Sequence, residues 1–281
     1  MITPLKKLYD FVGDALRTHD EEARHAQLSR PPGVLDSQVI WVMVLAAVIL
    51  TLLDYYGGSG DWRTLELFVK PFTDDYARVL ENIFVHPEYG RLARLAYWSG
   101  TTFIGYFVLP VLLIKLVLRQ RLRDYGMPWP GSRAPFGIFL VLYLIMAPFV
   151  VGVAFTDSFQ STYPFYQQAD RSLLEFFVWQ CIYAAQFFAL EFFYRGFLIH
   201  GLRHRFGVYS ILISMIPYCM IHFGKPLPET LGSIIAGIAL GAITYHYRSI
   251  WPAVAIHIAI AFSMDVFSLS AQGRLFALWP F

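Results

Sequence analysis

Leu190-Glu191-Phe192-Phe193-Tyr194-Arg195-Gly196 places a carboxylate and a guanidinium four residues apart inside an otherwise apolar run from about Leu173 to Gly201. Four residues are about one helical turn, so the two charges share a helix face as an ion pair would. The run is long enough to cross a bilayer, since roughly twenty residues at about 1.5 Å each cover the hydrocarbon core. An ionisable side chain at that depth is expensive and rare. It marks a functional site by default, with a partner to be found elsewhere in the chain.

Composition puts the rest of the chain in the same setting. Hydrophobic residues make up 57% of the 281, aromatic residues 17% and charged residues only 15%, with a mean hydropathy of +0.50. That is more apolar surface than one soluble core of this size can bury, so the expected fold is an all-α, polytopic bundle of membrane helices. A net charge of +2 argues against a nucleic-acid partner, and the basic residues sit in short clusters beside apolar runs, where they act as topology signals. Cys181 and Cys219 both fall inside apolar runs. They are expected to be two buried thiols, with neither a disulfide framework nor a cysteine-based zinc site. A polar leader precedes the first apolar run near Val39, so a cleavable signal peptide is not expected.

Working outward from the motif, seven spans are predicted: about Gln38 to Tyr56, Tyr97 to Leu118, Pro135 to Phe155, Leu173 to Gly201, Val208 to Phe223, Glu229 to Tyr247 and Ile250 to Leu269. Residues 1–37 form a leader in which Leu5, Leu8, Phe11, Val12 and Leu16 make an apolar helix stripe. That stripe suits a helix lying on the membrane surface, or equally one packed on the protein's own loops. Residues 38–172 hold three spans and a Gly57 to Ala96 loop with one or two short interfacial helices. Residues 173–281 hold the motif-bearing core. The leader, the Arg119 to Arg133 loop, Arg203, Arg205 and Arg248 fall on one side, which places the N-terminus in the cytoplasm. A bacterial cytoplasmic membrane is the expected location. The Gly57 to Ala96 loop, with five basic residues on the outer side, is the exception, and long loops obey the rule poorly.

Depth makes the polar residues of the last four helices informative. At about 1.5 Å per residue, Glu191 lies roughly 18 Å from Arg203 and His222 roughly 21 Å from Val208. His257 lies roughly 14 Å, and Asp265 roughly 26 Å, from Arg248 on the same rise. Lipid offers these side chains no hydrogen bonds, so they are expected to face one another or an internal water cavity as a shared site. Each also has a plainer reading. Glu191 and Arg195 form a structural helical pair, His222 is a helix-end histidine before Gly224 and Pro226, and His257 is a hydrogen-bonded interior histidine. Asp265 serves only to hold a partner. Lys225 and Glu229 read as an interfacial pair, and Ser233, Gly237 and Gly241 as a small-residue packing stripe. His200, His204 and His246 read as solvated.

One carboxylate and two neutral imidazoles are the ligand types of a catalytic zinc site with an open position for water, so Glu191, His222 and His257 are the candidate metal ligands. The alternative makes Glu191 the general base on a water held by the histidines, with Arg195 orienting the carboxylate. The residues themselves leave both open. A third use of intramembrane Glu, His and Asp, an ion or proton pathway, lacks the inverted repeat or paired broken helices of such proteins.

The order of a Glu-x-x-x-Arg-Gly helix, a helix ending in His222-Phe223-Gly224 and a late helix with an interior histidine resembles the CAAX-protease and bacteriocin-processing (CPBP, or Abi) intramembrane protease family. That family includes the type II CAAX prenyl endopeptidases. The resemblance covers about residues 173–269. It implies a helical bundle enclosing a buried glutamate and histidine site that cleaves peptide bonds, often with a divalent metal such as zinc, in membrane-anchored or lipidated protein substrates. Glu191 and Arg195 match the second glutamate and the arginine of the first motif, His222 the histidine of the second, and His257 that of the third. Two positions depart. Leu190 stands where the family has its first glutamate, often assigned as the water-activating base. Ala261 stands where an asparagine follows the last histidine, leaving Asp265 as the nearest polar substitute. The resemblance therefore implies either a peptidase with a variant site, catalysed by Glu191, Arg195, His222, His257 and Asp265, or a proteolytically silent member acting as a membrane binding, assembly or immunity factor.

Overall fold

In lipid the backbone must satisfy its own hydrogen bonds, and this chain does so with helices alone. The structure, a computed structural model, describes residues 21, 35–131 and 134–275. The stripe expected at Leu5, Leu8, Phe11, Val12 and Leu16 lies outside them. In chain order the main helices are α1 (Ser37–Tyr56), α2 (Tyr76–Phe84), α3 (Gly90–Val117), α4 (Ala134–Val153), α5 (Leu173–Phe206), α6 (Tyr209–Met220), α7 (Leu227–Tyr247) and α8 (Trp251–Ala271). Short helical turns fill Asp61–Phe72 and Asp157–Thr162. No strand occurs among the described residues. The chain is an all-α, polytopic integral membrane protein.

Helices α1, α3, α5, α7 and α8 are each long and apolar enough to cross a bilayer. Of the other two expected spans, α4 has 20 residues and α6 is short. Apolar α6 has 12 residues, about 18 Å at the helical rise. Pro217 sits in its last turn, and the chain then tightens, with His222 N–H donating to Cys219 O and Phe223 N–H to Met220 O, both at 3.0 Å. Gly224, at φ +87°, ends it. Large apolar side chains stay exposed along these helices, among them Leu144 and Phe149 on α4 and Leu231 and Ile235 on α7, as expected where lipid is the solvent. Cys181 is likewise exposed on α5 and Cys219 only partly covered. Both thiols are free, but neither is buried as expected, because an apolar residue of a membrane helix can face lipid as readily as protein.

The chain divides into two compact units, neither continuous in sequence. The first comprises Met1–Ala46, Pro110–Leu140 and Glu191–Ala255, and the second Ala47–Leu109, Val141–Leu190 and Ile256–Phe281. In the first unit, small residues let helices approach. A Cβ on Gly241 would lie 2.7 Å from Ile211 Cγ2, and one on Gly237 2.9 Å from Met215 Cγ. The expected small-residue stripe of α7 thus packs against α6. A polar network ties the start of α1 to the end of α5: Gln38 Nε2 donates to Gly201 O at 2.8 Å, Gln120 Nε2 to Gln38 Oε1 at 2.8 Å, and Tyr125 Oη to Gln120 Oε1 at 2.5 Å. His204 Nε2 lies 2.9 Å from Asp36 Oδ2, and His200 is buried. These two histidines are built into the protein instead of being solvated as expected, because α5 runs five residues past its predicted end.

In the second unit, Ser99 Oγ donates to Ile182 O at 2.8 Å and Tyr143 Oη lies 2.7 Å from Ser263 Oγ. Trp62 stacks on Phe84 at 5.0 Å, which fixes the helices expected in the Gly57 to Ala96 loop. Gly241 gives the sharpest packing test. Ile211 is β-branched and Ile199 Cδ1 lies 3.2 Å from the same Cβ position, so neither can swing clear. Gly241→Val should lower stability by about 1–3 kcal/mol, read as a drop in the thermal unfolding midpoint in detergent. Gly232→Ala, on the same helix with nothing within 4 Å, should leave it within error.

Candidate active site

Glu191 and Arg195 are buried at 0% and 1% exposure, with Arg195 Nε 3.2 Å from Glu191 Oε2. The ion pair expected from their spacing is present, and the helix changes its winding where it forms. From Phe192 to His200 α5 widens to π-type bonding, a form concentrated at functional sites because it displaces side chains from the regular α-helical rows. Every residue of this stretch is buried. Gly196 completes the motif for a steric reason: a Cβ there would lie 2.8 Å from Tyr125 O. That carbonyl belongs to the loop after α3, where burial and then the neighbouring Asp124 push the Tyr125 phenol above its ordinary range, keeping it a neutral donor to Gln120.

The guanidinium of Arg195 lies over the ring of Tyr218 on α6, 4.0 Å from its centroid, a cation–π contact strengthened by desolvation. Its Nη1 and Nη2 are buried and meet no hydrogen-bond acceptor among the described residues. Ser214 Oγ, one turn before Tyr218, donates to Tyr194 O at 2.7 Å and locks α6 to the motif. Tyr218 also meets His222, ring to ring at 4.8 Å, and His222 Nδ1 lies 2.8 Å from Tyr218 O. A carbonyl only accepts, so Nδ1 carries the hydrogen. In the neutral ring Nε2 then holds the lone pair, as a base or hydrogen-bond acceptor. The end of α6 makes this available, because carbonyls in a last helical turn lack their usual partners.

Glu191, Arg195 and His222 are therefore linked through Tyr218 within the first unit. The other two expected residues belong to the second. His257 is partly buried on α8, its ring 4.2 Å from that of Phe187. Asp265 is fully buried, and its Oδ2 accepts from Trp179 Nε1 and Gln180 Nε2, both at 2.8 Å. Lys225 Nζ pairs with Glu229 Oε1 at 2.7 Å across the turn into α7. Sequence reasoning missed Tyr218 and Trp179. Tyr218 could have been found from its position one turn before His222, whereas nothing local distinguishes Trp179 in so aromatic a chain. Among the described residues, no group of three or more His, Cys, Asp and Glu side chains could hold a metal ion.

Comparison with known proteins bears on the same stretch. Residues 172–263 match the family model described as type II CAAX prenyl endopeptidase Rce1-like. This segment is similar to that family. The match takes in Glu191, Arg195, His222 and His257 and stops two residues short of Asp265. It covers about a third of the chain. No curated protein and no solved structure matches the chain.

The ion pair sets a stability test. Removing one partner of a buried pair strands the other charge, at a cost of about 3–5 kcal/mol, whereas replacing both by apolar residues is often neutral. Arg195→Met alone should sharply lower the thermal midpoint in detergent, and Glu191→Leu with Arg195→Met should recover most of the loss. Equal losses in the single and double variants would contradict this account.

Proposed function

We propose that this protein is an intramembrane peptidase of CAAX-protease type that hydrolyses a peptide bond in a membrane-anchored or lipidated substrate. The observation that supports it most is the buried Glu191–Arg195 pair joined by Tyr218 to a histidine with an oriented Nε2. Glu191 is the general base. It takes one proton of a water whose other hydrogen is accepted by His222 Nε2, and the water oxygen attacks the peptide carbonyl carbon. The carbonyl oxygen becomes the oxyanion of a tetrahedral intermediate. Neutral His222 has no donor left for it, so the Nη1–H and Nη2–H groups of Arg195 are the donors that stabilise it. Collapse breaks the C–N bond, and the proton held by Glu191 passes to the departing amine. His257, which the matched segment also takes in, is read as a further functional residue. No step is routed through a metal.

Leu190, buried at the first-glutamate position, favours one second reading. A chain without that glutamate is a proteolytically silent member that binds a lipidated or transmembrane partner through the same residues.

Cleavage of a fluorogenic peptide ending in a farnesylated CAAX sequence, with its unlipidated form as control, separates the two. The peptidase reading expects turnover by the purified protein, a loss of at least about 10²-fold in Glu191→Gln and a comparable loss in Arg195→Lys with folding retained. Wild-type binding of the lipidated peptide without cleavage would sink the peptidase and support the silent binder. Chelator-sensitive turnover restored by zinc would instead return Glu191 and His222 to the role of ligands.

A further inference from the structure

His257 and Asp265 stand eight residues apart on α8, two helical turns. On α5, Trp179, Tyr183 and Phe187 have the same period, at successive steps of four residues. The two sets meet in antiparallel register. Trp179 Nε1 donates to Asp265 Oδ2 at 2.8 Å at one end, and the Phe187 ring lies 4.2 Å from the His257 ring at the other. Between them the rings form one column, Trp179 to Tyr183 at 4.7 Å and stacked, Tyr183 to Phe187 at 4.3 Å. Trp179 and Asp265 have no exposed surface, and Tyr183 and Phe187 are buried too. Eight residues forward along one helix are thus matched by eight residues back along the other, about 12 Å at the helical rise. The closed path runs from His257 through three rings to a carboxylate on its own helix.

This register also gives Ala261 a meaning. It lies midway between His257 and Asp265 and so stands opposite Tyr183, and both belong to one buried cluster. A methyl group at 261 leaves room for the Tyr183 ring in the column, where a larger polar side chain would occupy it. Asp265 Oδ1 is buried with no hydrogen-bond partner among the described residues. The carboxylate's hold on α5 therefore runs through Oδ2, to Trp179 and to Gln180 beside it.

We propose that Asp265 is a positioning residue for His257, acting through Trp179 and the ring column. It does not touch the reacting atoms. Its bonds to Trp179 and Gln180 fix the height of α5 against α8, and the column passes that constraint to the face of the His257 imidazole. The functional part of this inference rests on the reading of His257 as a site residue. The structural part does not.

The full chain labelled with 13C-histidine in detergent micelles tests both, with the His257 ring signal assigned by its loss in His257→Gln. Trp179→Phe keeps a ring but removes the N–H. Tyr183→Leu breaks the column while touching neither Asp265 nor the His257 ring. Both should broaden or split the His257 signal at least twofold while other histidine signals hold. Tyr183→Phe, which keeps the ring, should leave the signal as in wild type. With the farnesylated peptide, the two disrupting variants should lose about tenfold in kcat with KM within twofold. An unchanged His257 signal in both, alongside a lowered thermal midpoint, would overturn the proposal and leave the column as packing alone. If the wild type does not cleave the peptide, the peptidase reading fails, and the ring signals still decide whether Asp265 positions His257.

Discussion

A charge pair buried away from bulk solvent is the constraint around which the first unit is built. Glu191 and Arg195 are taken fully out of solvent, and their attraction repays that cost only with good geometry and further polar or aromatic support. The chain supplies such support. The helix carrying the pair rewinds to π-type bonding, Gly196 lets a loop carbonyl come close, and the Tyr218 ring accepts the guanidinium on its face. Each feature is unfavourable or neutral in isolation. Glycine weakens a helix, a π stretch has poorer hydrogen-bond geometry, and a tyrosine in lipid must place its hydroxyl. Together they make a polar centre that an apolar helix could have avoided, which is the strongest physical reason to regard it as functional.

A second constraint is orientation. An imidazole in an apolar setting has few groups to aim it, and the two histidines are held in different ways. His222 lies just beyond the end of α6 and uses a carbonyl in its last turn, which fixes the tautomer as well as the direction. His257 sits mid-helix, where the carbonyls are already used, and its ring packs at a tilt on that of Phe187. The contrast follows from where each residue falls along its helix. It explains why a lone tyrosine suffices in one unit while three aromatic residues at helical spacing are used in the other.

Much of this was legible in the chain itself. Hydropathy located the helices because lipid leaves no other backbone solution, and the Glu191 and Arg195 spacing declared an ion pair because one turn separates them. Helix ends were less legible. The predicted α5 stopped at Gly201, yet Gly207 ends it, because Gly201 serves a close approach in which a Cβ would lie 3.1 Å from Val42. Val208 to Phe223 read as a span from hydropathy alone, while Pro217 and the turn holding His222 cut it to α6. Exposure was illegible too, since an apolar residue such as Cys181 can face lipid or protein. The partners of Asp265 were beyond reach, because the antiparallel register of α5 and α8 is a tertiary fact. Once it is known, the shared period of Trp179, Tyr183 and Phe187 becomes readable.

The two departures from the family pattern differ in physical character. At Ala261 the loss of a polar side chain is answered nearby, by a ring that fills the space and a carboxylate one turn on. At Leu190 the change is one of charge. Two glutamates and one arginine would carry a net charge of −1 in a buried site, which a bound cation would relieve. With Leu190 in place, Glu191 and Arg195 balance, and the motif makes a weaker electrostatic demand for a metal. On the proposed reading the chemistry then falls to a carboxylate, an imidazole nitrogen whose lone pair is set by the Tyr218 carbonyl, and the buried nitrogens of one guanidinium.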